Sequence, residues 1–110
     1  MNETNLARLE VKFYKIIEAI IVQMRKEQIN SDFLNEMILE YLADWEIFMN
    51  DNTIEARAHF AFFMFLFFDH PVFFNNIRKY ESIDSLCQNL IKCYKKLSKE
   101  YKNTCGVSYG

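Results

Sequence analysis

Apolar residues recur at three- and four-residue steps through the first quarter of the chain: Leu6, Leu9, Phe13, Ile16, Ile17, Ile20 and Met24, with Arg8, Lys12, Lys15 and Glu18 on much of the other side. That period belongs to one buried face of an α-helix, and it predicts a helix over about residues 4–28, closed by the turn Gln28-Ile29-Asn30. Ser31 then offers a capping hydroxyl, and Asp32 falls in the first turn, where the helix dipole favours an acid. A second apolar stripe, Leu34, Ile38, Tyr41, Leu42, Trp45 and Phe48, continues to the break at Asn50-Asp51-Asn52. Asn52 or Thr53 restarts the chain, and Glu55, three residues after Asn52, completes a variant of the capping box.

The third predicted helix, residues 53–69, is apolar on every side from Phe60 onward. A helix of that kind must lie at the centre, surrounded by its neighbours. Asp69-His70-Pro71 stops it, and Pro71 suits the first turn of a short fourth helix reaching Tyr80. Ser82 opens the last helix, with Ile83, Leu86, Leu90, Cys93 or Tyr94, and Leu97 facing inward. No stretch alternates with a period of two, so no sheet is predicted. The expected fold is all-α, a single-domain bundle of about five helices with a fully apolar central helix over residues 1–102, followed by a flexible tail over 103–110.

Composition narrows this picture. With two glycines and one proline among 110 residues, turn-rich β and linker architectures are excluded, and 51% hydrophobic content excludes disorder. The longest apolar run, Phe60 to Phe68, is nine residues, whereas a bilayer needs about 20. The opening Met1-Asn2-Glu3-Thr4-Asn5 lacks the apolar core of a secretion signal. Cys87, Cys93 and Cys105 are odd in number and lack CxxC spacing, so reduced thiols in a cytoplasmic protein are expected.

Charge is the feature that points to function. The chain carries a net charge of −2, yet the signs are segregated. Residues 31–56 hold seven acids (Asp32, Glu36, Glu40, Asp44, Glu46, Asp51, Glu55) and no base. Asp32, Glu36, Glu40 and Asp44 step by four, which stacks like charges along one stripe at a cost of about 0.2–0.5 kcal/mol per pair. Three readings are open, the plainest being a solvated acidic face whose repulsion salt screens. The basic stripe Lys92, Lys95, Lys96 and Lys99 on the last helix supplies an internal counterpart. Alternatively the acids meet an external partner, with Leu39 and Ile47, flanking Ala43 within the acidic sector, as a dry centre inside a charged rim.

Enzymatic readings find little support. No P-loop, GxGxxG, GxSxG or HExxH motif occurs. Glu36 and Glu40 are half of a di-iron pattern, but neither His59 nor His70 follows a Glu by three residues. No metal or cofactor is expected. A nucleic-acid reading rests on Lys92, Lys95, Lys96, Lys99 and Lys102, with Tyr94 and Tyr101 available to stack on bases. An apolar-ligand reading places a cavity among Phe62, Phe65 and Phe73.

The chain is similar in type to the small cytosolic immunity proteins of bacterial toxin systems such as contact-dependent growth inhibition. The likeness lies in its length, its richness in Asn, Lys, Ile and Phe, its lack of catalytic motifs and its acidic face. It implies a non-catalytic inhibitor that neutralises a cognate toxin, in particular a nuclease. The partner would be a basic protein domain rather than nucleic acid or membrane. The acidic helix would occlude the toxin's basic cleft through Asp32, Glu36, Leu39, Glu40, Asp44, Glu46 and Ile47. A ligand-binding regulatory domain and a self-associating structural subunit are the alternatives.

Overall fold

In the computed structural model the described residues are 2–29, 53–70 and 78–106, together with Asp32, Glu36, Leu39, Glu40, Ala43, Glu46, Asn50 and Asp51. Three helices are delimited: α1 (Asn2–Lys26), α2 (Ile54–Phe68) and α3 (Glu81–Cys105). The eight separate residues between 32 and 51 are also helical. Among the described residues there is no strand, in line with the all-α expectation. The count of five helices is not matched. The short helix expected over 71–80 falls mostly on residues outside the described ones, and its end, Arg78 to Tyr80, is a turn and bend.

α1 buries Leu6, Phe13, Ile17, Ile20 and Met24, with Leu9 and Ile16 half-buried beside them, as the periodicity predicts. Its C-terminus closes with paired bonds: the Ile29 amide donates to the Met24 carbonyl (3.1 Å) and the Gln28 amide to the Arg25 carbonyl (3.1 Å). This is a Schellman closure, and it places Gln28 in the left-handed region, φ 55°, where glycine is the usual occupant. Half-buried Ile29 packs on the core and completes the motif. Gln28→Gly is therefore expected to stabilise the protein by about 0.5–1 kcal/mol and raise Tm by a few degrees, read by thermal unfolding.

α2 starts at Thr53, whose hydroxyl accepts from the Ala56 amide at 3.1 Å. The cap is therefore Thr53 and not Asn52, so the capping-box pairing with Glu55 is not the one used. Glu55 instead sits in the first turn, favourably placed near the helix's positive end.

The central-rod expectation for this helix needs correction. Ala58, Phe60, Ala61, Met64 and Phe68 are buried. Leu66, however, is 48% exposed, and Phe62, Phe63, Phe65 and Phe67 are only half-buried. Uniform hydrophobicity shows that a helix lacks a polar face; it does not show that neighbours cover every side.

Among the described elements α3 holds the middle position, packing on both α1 and α2. It starts one residue earlier than Ser82, at Glu81, with Tyr80 in the capping position. It buries Ile83, Cys87, Leu90, Cys93, Tyr94, Leu97 and Tyr101 and continues to Cys105, where Gly106 closes it at φ 74°. Regular helix thus runs past residue 102, and residues 107–110 lie outside the described ones. The contacts make α1 and α3 antiparallel. Ser82 at the start of α3 donates to Glu27, just beyond the end of α1 (3.3 Å), while Tyr101 near the end of α3 donates to Glu10 on α1 (2.7 Å).

Tyr94 is where the three helices meet. Phe65 of α2 stacks on its ring (centroids 4.4 Å apart, planes 13° apart), and Phe13 of α1 approaches at 6.4 Å. Arg78, its side chain buried, pairs with Asp84 at 2.7 Å and fastens the turn before α3 to its first turns. No helix among the described residues is long and apolar enough to cross a membrane.

Candidate functional site

On a helical wheel at 100° per residue, Asp32, Glu36, Leu39, Glu40, Ala43, Glu46 and Asn50 fall within about a third of the circumference, and every one of them is helical and exposed. Leu39 shows 67% of its surface to solvent, the most of the large hydrophobics among the described residues. Asp32, Glu36, Glu40 and Glu46 form no ion pair or hydrogen bond among the described residues. The remaining two predicted site residues, Asp44 and Ile47, lie outside the described residues. The surface is thus an acidic sector with an apolar projection at Leu39 and a small residue, Ala43, one turn on.

Among the described residues the internal counterpart does not engage the acids. Lys92, Lys95, Lys96 and Lys99 are exposed and make no ion pair among the described residues. Two of them, Lys92 and Lys96, instead share a depression with Lys12 of α1, because antiparallel packing brings these basic positions together. One depression of about 440 Å³ is lined by Arg8, Val11, Lys12, Lys15, Ile16, Ala19 and Leu86. A second, of about 310 Å³, shares Lys12 and Ile16 and adds Asn89, Lys92, Cys93 and Lys96. No acid is among the described residues lining either one. Burial raises the Cys93 thiol above its ordinary value, partly offset by the charges of Lys12 and Lys96, one from each helix.

This groove was absent from the sequence reading. Its bases were visible as separate helical stripes, but their meeting depends on how α1 and α3 pack. The same packing buries Tyr94 and Tyr101, which removes the base-stacking platform that the nucleic-acid reading required.

A second feature escaped the periodicity. Glu10 occupies a position in the apolar stripe, between Leu6 and Phe13, and is 7% exposed. Its Oε2 accepts from the Tyr101 hydroxyl (2.7 Å) and from Arg57 Nε (2.9 Å), so one carboxylate ties α1, α2 and α3 together. Burial, and then the charge and hydrogen bond of Glu10, push the Tyr101 hydroxyl far above its ordinary value. A charged residue in register with Leu6, Phe13 and Ile17 was the available signal. The group lies within the helix packing, and it reads as a structural tie.

The other candidates resolve simply. Cys87 and Cys93 are buried free thiols, and burial pushes Cys87 up to about 12. Of the residues expected to line an apolar-ligand cavity, Phe62 and Phe65 pack against Tyr94, and Phe73 lies outside the described residues. A different apolar concavity, about 240 Å³, is lined by Phe63, Leu66, Phe67 and His70. Among the described residues no three His, Cys, Asp or Glu side chains gather as a metal site. In comparisons with protein families, curated proteins and solved structures, no match to the chain was found.

Proposed function

We propose that this chain is a non-catalytic binding protein of the immunity type, which neutralises a basic partner, in particular a nuclease toxin, by seating its acidic helical face in the partner's cleft. One observation carries the reading: Asp32, Glu36, Glu40 and Glu46 stand exposed around Leu39, free of ion pairs among the described residues. Enzymes that cleave nucleic acid line their clefts with cations for phosphate. A row of carboxylates about 6 Å apart along a helix competes for those cations, and long-range attraction speeds the encounter. Leu39 supplies the desolvated anchor that the charges orient. Asp44 and Ile47 extend the same sector in the sequence.

The test is capture from the native host with the wild-type chain and with the variant Glu36→Lys/Glu40→Lys/Glu46→Lys. Wild type is expected to retain a basic protein that high salt releases. The variant is expected to bind the purified partner at least about 100-fold more weakly while keeping its helical CD signal and melting temperature. Equal affinity of the two proteins overturns the reading. The apolar concavity at Phe63, Leu66, Phe67 and His70 favours a second reading, a regulatory domain holding a small apolar ligand, whose signature is heat stabilisation by such compounds.

A further inference from the structure

We propose that the basic groove between α1 and α3 receives the acidic helical face of a second copy of this chain. The two surfaces match in spacing as well as in sign. Arg8, Lys12 and Lys15 on one wall, and Lys92 and Lys96 on the other, advance by three or four residues, about 4.5–6 Å at the helical rise. Asp32, Glu36 and Glu40 advance by four residues, about 6 Å at the same rise. An acidic helix lying in the groove therefore meets bases on both sides.

The floor is suited to the rest of that face. Ile16, Ala19, Leu86 and Cys93 line it, and Val11 at its edge is 51% exposed. Leu39, 67% exposed, is the apolar group available to enter. Neither surface is ion-paired among the described residues of its own chain. Nucleic acid fits the groove less well, because the tyrosines of α3 that would stack on bases are buried and the chain as a whole is acidic.

The pairing uses the same acidic face as the proposed function. It keeps that face covered at high protein concentration until a more basic partner displaces the second copy. The contact is a single helix in a shallow groove, so it belongs with weak, salt-sensitive interfaces.

Sedimentation of the purified chain at about 20 mM and 500 mM salt tests this, using wild type, Lys12→Glu/Lys96→Glu and Glu36→Lys/Glu40→Lys, each checked by CD. Wild type is expected to associate at low salt and fall to monomer at high salt. Each variant alone is expected to stay monomeric, and their equimolar mixture to associate, because the intact groove of one meets the intact acidic face of the other. A wild type that stays monomeric at every concentration, a variant that still associates alone, or a mixture that stays monomeric overturns the proposal. So does tight binding of a fluorescent RNA oligonucleotide by a monomeric wild type, lost in Lys12→Glu/Lys96→Glu. The outcome is separable from the proposed function: Lys12→Glu/Lys96→Glu ends self-pairing but leaves capture of the basic partner intact.

Discussion

Phe13→Ala is expected to destabilise the protein by about 3–5 kcal/mol, the largest effect of any single substitution considered. Phe13 is fully buried on α1 and makes ring contacts with Tyr14 and Tyr94. Truncation removes the transfer energy of a whole ring and opens a cavity at the point where α1, α2 and α3 converge. Tyr94 is held on its other side by Phe65, so it has little freedom to fill the space. Against a total stability of about 5–15 kcal/mol, the variant stands near its unfolding threshold at physiological temperature. Urea unfolding with an unchanged m-value and a lowered midpoint is the expected record. A loss below about 1 kcal/mol would show that the helices do not meet at this ring.

Glu10→Ala comes next. It removes the acceptor shared by the Tyr101 hydroxyl and Arg57. Breaking a buried ion pair from one side costs about 3–5 kcal/mol. Here the Arg57 side chain keeps 22% of its surface in solvent, so a loss of about 2–3 kcal/mol and a fall in Tm of roughly 10–20 °C are expected.

The same group makes the fold sensitive to alkali. Tyr101 keeps its proton in the folded state to a higher pH than in the unfolded chain, where the hydroxyl titrates near 10. The folded state therefore binds more protons above that pH, and stability falls as pH rises. Cys87, pushed up to about 12 by burial, acts in the same direction from about pH 9. Each group contributes a slope of about 1.4 kcal/mol per pH unit within its window. Tyr101→Phe should flatten the part that begins near pH 10, and a curve unchanged by that substitution would remove Tyr101 from the account.

The all-α class, the inward face of α1 and most of the inward face of α3 were legible because each is a local matter of periodicity. Leu6, Phe13, Ile17 and Ile20 recur as a helix requires, and all are buried. What failed depends on neighbours. The evenly apolar α2 was expected to be wrapped on every side, yet Leu66 faces solvent and, among the described elements, α3 takes the middle position. Whether Asp32, Glu36, Leu39, Glu40 and Glu46 are exposed or covered was open from sequence: their wheel positions lie away from the Leu34–Ile38–Trp45 stripe, but pairing with the lysines of α3 was equally compatible, and only the structure has all five exposed. The groove did not follow, since the bases of α1 and α3 belong to segments some 80 residues apart, and only their antiparallel packing joins them. Glu10 shows a third kind of miss. Hydrophobic pattern reading passes over a charge inside an apolar stripe, although such a charge is the sign of a buried partner.

Carboxyl footprinting decides whether the acidic face is the working surface: carbodiimide coupling of a small amine, read residue by residue by mass spectrometry, on dilute protein before and after addition of the captured basic partner. Glu36, Glu40 and Glu46 should label readily in the free protein and be protected in the complex, while Glu10 stays unlabelled in both. Poor labelling of those three in the dilute free chain, or labelling that the partner leaves unchanged, would contradict an outward acidic face as the working surface.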